Sequence, residues 1–166
     1  VTNIDFDTTP DKITDVKAYY SDEQVSNELQ LNYDGGGRWR GVTGLYFFNA
    51  SAGGQVLNNF FNLSFGDTQG TVYTESTALY TDWTFDISEK LKLDVGARYT
   101  DEDKRAKVLN RSYSGPDFST VIATPANFDK TVNFTNLSPK VSLDYQVNQD
   151  VMVYGLFSRG FKSGGY

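Results

Sequence analysis

Leu91-Lys92-Leu93-Asp94-Val95-Gly96-Ala97-Arg98-Tyr99 is the stretch that decides the fold. Leu91, Leu93, Val95, Ala97 and Tyr99 share one parity; Lys92, Asp94, Gly96 and Arg98 share the other. Side chains of a strand alternate between two faces, whereas a helix would mix the two sets. The stretch predicts a strand with one apolar and one polar face.

The same alternation recurs on both sides of it. Leu137, Pro139, Val141, Leu143, Tyr145 and Val147 oppose Ser138, Lys140, Ser142, Asp144 and Gln146. Leu79, Thr81, Trp83, Phe85 and Ile87 oppose Tyr80, Asp82, Thr84 and Asp86. Val25, Asn27, Leu29, Leu31 and Tyr33 oppose Glu28, Gln30 and Asn32. Arg38–Asn49 and Val151–Gly160 are strand-like with less distinct faces, and Met152, Tyr154 and Leu156 are assigned to the apolar one. Six antiparallel strands are expected, joined in three hairpins by Asp34-Gly35-Gly36-Gly37, Ser88-Glu89-Lys90 and Asn148-Gln149-Asp150. At the other end the sequence predicts long loops over Ala50–Gly70 and Val108–Thr131, and a polar stretch, Val1–Asp22, before the first strand. Short turns at one end and long connections at the other are the habit of outer-membrane barrels.

Composition narrows the function. The 166 residues carry 15 basic and 21 acidic side chains, a formal charge of -6, and neither cysteine nor histidine. Disulfides, thiol nucleophiles and zinc–thiolate sites are excluded, and so is the commonest general base. The acidic balance argues against a nucleic-acid binder. Aromatic content is 15%, with 11 Tyr and 12 Phe, although mean hydropathy is -0.46. That combination suits two-faced strands and excludes an aromatic-poor disordered chain. No apolar run approaches the roughly 18–20 residues of a transmembrane helix, and no signal-peptide pattern opens the chain. Spanning strands, of roughly 9–11 residues, escape both tests.

Aromatic residues cluster beside the short turns: Tyr33, Trp83, Phe85, Tyr145 and Tyr154. A second set, Phe48, Tyr99 and Phe134, lies toward the other strand ends. Rings with a polar tip favour the membrane boundary, so the two sets are expected to be girdles. The run Leu91–Tyr99 gives about 30 Å of strand, which covers most of the apolar band of such barrels when tilted. An open sheet in lipid leaves unpaired backbone groups, each costing several kcal/mol, so the chain is expected to be an excerpt, incomplete at both ends.

The segments VSNELQL (25–31), WRGVTGLYFF (39–48), LKLDVGARYT (91–100), LSPKVSLDY (137–145) and VYGLFSRGFKSGGY (153–166) together resemble consecutive barrel strands of TonB-dependent outer-membrane receptors, siderophore-receptor-like members above all. The resemblance covers nearly the whole chain. It implies that residues 1–166 are one segment of a β-barrel of about 22 strands in the bacterial outer membrane. It also implies import of a scarce nutrient such as a ferric siderophore, with outer-membrane lipid, an N-terminal plug and the TonB system as partners. Neither plug nor TonB box is visible in the sequence. Arg159 to Gly165 match a motif of the family near the outer end of a strand.

No catalytic, metal or cofactor site is expected. Asp101, Glu102 and Asp103 run into Lys104 and Arg105 and read as a solvated rim. Ser158 has no histidine to activate it. The ligand candidates are Asn58, Asn59, Phe60, Phe61 and Phe65, where rings beside amides suit stacking and hydrogen bonding. Lys92, Asp94, Arg98, Lys140, Asp144 and Arg159 are expected to face the lumen. Two alternatives stand beside the receptor: a soluble all-β carbohydrate-binding module and a small standalone outer-membrane barrel. Segregated connection lengths disfavour the first, and the strand count disfavours the second.

Overall fold

The computed structural model describes residues 2–5, 8–11 and 13–165. These form one antiparallel meander, each strand paired with its sequence neighbours. The strands are β1 (Thr2–Asp5), β2 (Thr14–Asp34), β3 (Trp39–Phe60), β4 (Ser64–Asp86), β5 (Leu91–Tyr113), β6 (Val121–Gln146) and β7 (Met152–Ser158). There are therefore seven strands where the sequence predicted six; the additional one, β1, pairs only with the far end of β2. The sheet is open at both edges. No helix among the described residues is long and apolar enough to cross a membrane.

The three short turns stand where the sequence put them, after β2, β4 and β6. In the first, Gly36 adopts φ 69°, the left-handed region where a Cβ would be strained, and its N–H donates to Asp34 Oδ1 at 3.1 Å. The opposite end differs from expectation. Most of the predicted loops 50–70 and 108–131 are strand. β3 runs on to Phe60 and β5 to Tyr113, leaving only residues 61–63 and 114–120 as connections. The predicted polar stretch 1–22 likewise contains β1 and the start of β2. The physical reason is that ladder hydrogen bonds are made by the backbone. These extensions keep strand-forming residues such as Thr71, Val72, Tyr73, Thr131 and Val132 while losing the apolar alternation that marks a strand in sequence. From Thr100 to Tyr113, β5 gains roughly 45 Å of strand beyond its apolar run.

Paired residues have matching parity from β1 to β7, below a bulge at Asn110–Tyr113. All odd-numbered strand residues therefore share one face of the sheet and all even-numbered residues the other. The odd face carries an apolar band: Val25–Tyr33, Trp39–Phe47, Leu79–Phe85, Leu91–Tyr99 and Leu137–Tyr145, counted in odd positions. Tyr33, Trp39 and Trp83 stack at its short-turn end, with centroids 4.3 Å apart for Tyr33–Trp39 and 5.3 Å for Trp39–Trp83. The Trp83 indole N–H donates to Thr81 Oγ1 at 2.7 Å, and Thr81 shares a hydrogen bond of 2.8 Å with Thr43. These three polar groups are thus satisfied side chain to side chain.

Register corrects three face assignments. Val153 opposes Tyr145 and Phe157 opposes Val141, so Val153, Gly155 and Phe157 join the apolar face. Met152, Tyr154 and Leu156 lie with Gln146, Asp144 and Ser142 on the polar one. β7 is apolar at both parities, so alternation alone gave no answer there. Phe48 and Phe134 also fall on the even face, which removes them, with Tyr154, from the girdles; Phe47 is the ring that shares the odd face with Tyr99.

Candidate functional site

The even face is polar through the height of the apolar band. Lys92, Asp94, Arg98, Lys140 and Asp144 all lie on it. Arg159 does not follow them: β7 ends at Ser158, which opposes Lys140, and the next backbone N–H, that of Arg159, donates to Pro139 O at 3.0 Å. Alternation carries Arg159 to the parity of Pro139, the opposite one from that expected.

Glycines let groups two strands apart meet across this face. Tyr80 on β4 reaches over Gly44 of β3 to β2, where its hydroxyl donates to Glu28 and accepts from Gln30 Nε2 at 2.7 Å. A Cβ on Gly44 would stand 2.5 Å from the Tyr80 hydroxyl. Lys140 on β6 likewise reaches over Gly96 of β5 to Asp82 on β4 at 3.0 Å, where a Cβ on Gly96 would lie 2.8 Å from the carboxylate. Asp94 accepts from the Thr84 hydroxyl, and Asp144 accepts from Ser142 Oγ at 2.9 Å. The Arg98 guanidinium lies over the rings of Tyr46 and Tyr80, 5.1 and 5.9 Å from their centroids. The result is a polar surface cross-braced between strands, with Lys140 paired to Asp82 and the carboxylates of Asp94 and Asp144 held by hydroxyls.

Above Arg98 the even face encloses a cavity of about 380 Å³, bordered by Tyr46, Phe48, Arg98, Glu102, Phe161 and Lys162. The segment after β7 closes one side of it; the Gly164 carbonyl accepts from Lys104 Nζ at 2.9 Å. Two cationic groups and three rings converge here, the pairing that attracts an anion with aromatic parts. Periodicity gave no hint of this cavity, because its residues come from four strands and the segment after the last. Only the family resemblance of Arg159 to Gly165 pointed to that region.

The five ligand candidates do not form one site. Asn58 and Phe60 are on the even face, Asn59 and Phe65 on the odd one, and Phe61 is in the turn. Asn59 closes that turn: its Nδ2 donates to Asn62 Oδ1 at 2.8 Å, and its Oδ1 accepts from Asn62 N at 3.1 Å. Phe65 is only 6% exposed and packs edge-on against Phe118, which also packs on Tyr113. Phe61 is 68% exposed and holds φ 56°. A left-handed conformation costs a residue with a Cβ about 1–2 kcal/mol, and glycine returns about 0.5–1 kcal/mol of that in entropy. Phe61→Gly is therefore expected to stabilise this hairpin end by about 0.5 kcal/mol, read as slower amide exchange at residues 60–64. Faster exchange would mean the ring itself holds the turn.

On the odd face, beyond the apolar band, charge replaces hydrocarbon. Asn133 Nδ2 donates to Asp101 and Asp103 at 2.7 and 2.9 Å. Arg105 grips Asp129 through two hydrogen bonds of 2.6 Å. That fork holds the Asp129 carboxyl below its ordinary value, desolvation opposing, and raises Arg105. A carboxylate depressed in the folded state contributes fully above its unfolded value of about 3.9 and loses the contribution as pH falls through the folded value. Wild type is expected to protect the amides around Asp129 better than Asp129→Asn at neutral pH, with the difference disappearing as acid protonates the folded-state carboxyl. A difference persisting in acid would remove the ion pair as its cause.

A membrane-height apolar band on one face, a braced polar face behind it and hairpins projecting beyond are the marks of an outer-membrane barrel wall. The chain belongs to the family described as TonB-dependent receptor-like, β-barrel, which it matches over residues 2–166. This is a family of outer-membrane β-barrels that serve as receptors and transporters rather than enzymes. Among solved structures the chain is similar to the ferric yersiniabactin uptake receptor FyuA from Yersinia pestis, with a TM-score of 0.73 at 17% identity. The match covers 87% of this chain and 22% of that one, so the chain spans about a fifth of that receptor's length. No curated protein matches the chain.

Proposed function

We propose that this chain is part of the barrel of an outer-membrane receptor that imports a scarce nutrient such as a ferric siderophore, energised through TonB. The odd face meets lipid, and the even face, with Lys92, Asp94, Arg98, Lys140 and Asp144, lines the lumen around a plug contributed by the rest of the receptor. The observation that carries the reading is the even-face cavity, where Arg98 and Lys162 stand among Tyr46, Phe48 and Phe161. Cations beside rings suit an anionic ferric chelate. The similar receptor FyuA is itself a ferric yersiniabactin uptake receptor, which supports a cargo of this class. Asn58, Phe60 and Phe61 stand at the outer rim, where an arriving ligand passes them first.

The test is uptake of radiolabelled iron, given as catecholate, phenolate and hydroxamate chelates, by cells whose only receptor is the full-length protein. Uptake of at least one chelate, abolished by loss of TonB and reduced about tenfold by Arg98→Ala, is expected from removing a charge-assisted contact worth about 1.5 kcal/mol. No TonB-dependent uptake of any chelate would overturn the iron reading.

A further inference from the structure

A second cavity lies on the other face. The connection 114–120 folds down onto the odd face, where Phe118 meets Tyr113 edge-on at 5.3 Å and Phe65 at 6.3 Å. Hydrogen bonds from Ser114 N to Thr120 O and from Phe118 N to Gly115 O fix its shape. With the ends of β1, β2 and β3 it encloses about 630 Å³, within the range of small-molecule sites. Pro116 and Phe118 border one side; Asn3, Asp15, Lys17 and Leu57 border the other, together with even-position residues such as Val16 and Asn58.

The wall chemistry is selective. Phe118, Pro116 and Leu57 offer flat apolar surface. The side chains of Asp15 and Asn3 hold no hydrogen bond or ion pair among the described residues, so a carboxylate and an amide stand available to a ligand. Among the described residues the charged groups lining the cavity are Asp5, Asp15 and Lys17, two carboxylates to one ammonium, a lining that disfavours phosphate and carboxylate ligands. A ligand with apolar C–H faces and many neutral hydroxyls fits all of these walls. We infer that this cavity binds an uncharged oligosaccharide, with hydroxyls on Asp15, Asn3 and Lys17 and a sugar face against Phe118. It shares no lining residue with the cavity beside Arg98, so the two are distinct; the import role of that other cavity rests on the proposed function, whereas sugar binding here does not. Such a sugar has two sources, free glycans and the saccharide chains of surface glycolipids.

The experiment uses the purified full-length receptor. It is titrated against an array of neutral glucose, galactose, mannose and N-acetylhexosamine oligosaccharides and their phosphorylated or sialylated counterparts. In parallel it is floated with vesicles whose glycolipid carries or lacks a neutral sugar chain. At least one neutral saccharide or chain-bearing vesicle is expected to bind at least tenfold more tightly than its charged or chainless counterpart. Capture by vesicles alone assigns the lipid-linked source, and capture of free sugar assigns the soluble one. Asp15→Asn and Phe118→Ala should each weaken binding about tenfold. Asp15→Asn preserves shape, so its effect does not depend on the loop staying folded. Iron uptake by the Asp15→Asn receptor should be unchanged, and failure of all iron uptake would leave the binding result intact. Absence of binding in both arms, or binding indifferent to both substitutions or to ligand charge, would overturn the inference.

Discussion

In the full-length receptor, Val95→Arg is expected to lower folding stability in bilayers by about 2–4 kcal/mol. Val95 sits mid-band on the odd face, flanked by Trp83 and Val141, where an arginine head has hydrocarbon around it and no partner. Asp94, one residue earlier, is on the even face and accepts from Thr84. Asp94→Arg forfeits that bond, a loss of about 1 kcal/mol, and meets water and polar neighbours instead of lipid. An arginine scan from Lys92 to Arg98 should therefore give a saw-tooth, with the odd positions costlier. Equal losses at neighbouring positions would sink the assignment of faces.

Phe65→Ala carries the largest expected effect at the outer end, about 3–5 kcal/mol for truncating a buried ring. The loss falls locally. Without Phe65, Phe118 keeps only Tyr113, and the connection 114–120 is expected to leave the sheet while the apolar band below remains folded. Limited proteolysis should then cut between Ser114 and Thr120 in intact cells, with the receptor's unfolding temperature little changed. Phe61→Ala, at an exposed turn, is expected to change neither by a measurable margin. Resistance of Phe65→Ala to proteolysis would show that the connection is held by its own hydrogen bonds.

The contrast between those two phenylalanines marks the reach of sequence reading here. Within the apolar band the two faces differ in polarity, so alternation named the strands and their orientation at Leu91–Tyr99 and Leu137–Tyr145. Beyond Tyr99 both faces are polar, the alternation disappears, and strand persists on backbone bonding that no side chain advertises. β7 fails for the opposite reason, since Met152, Val153, Tyr154, Leu156 and Phe157 are apolar at both parities. Asn58 to Phe65 looked like one ligand-bearing loop because nearby residues of similar chemistry invite grouping. A tight turn instead sends them to opposite faces. The packing of Phe65 with Tyr113 and Phe118 joins residues some fifty positions apart, and the bridges over Gly44 and Gly96 join strands that are not neighbours. Neither relation has a local signature.

The meander also bears on how the wall is made. Each described strand pairs only with the strand before and after it in sequence, so no backbone ladder waits for a distant segment. Every loop-closure step is then short, and the entropy lost at each closure is regained by the ladder that zips from the turn. Hairpins can nucleate at Gly36, at Ser88 and at Asn148 independently, each arriving with its hydrocarbon side already sorted from its wet side. Lengthening the first turn by one residue would offset twenty-one paired positions of β2 against β3 and turn one strand's hydrocarbon side toward water. The few residues of that turn thus govern the assembly of a wall many times their length.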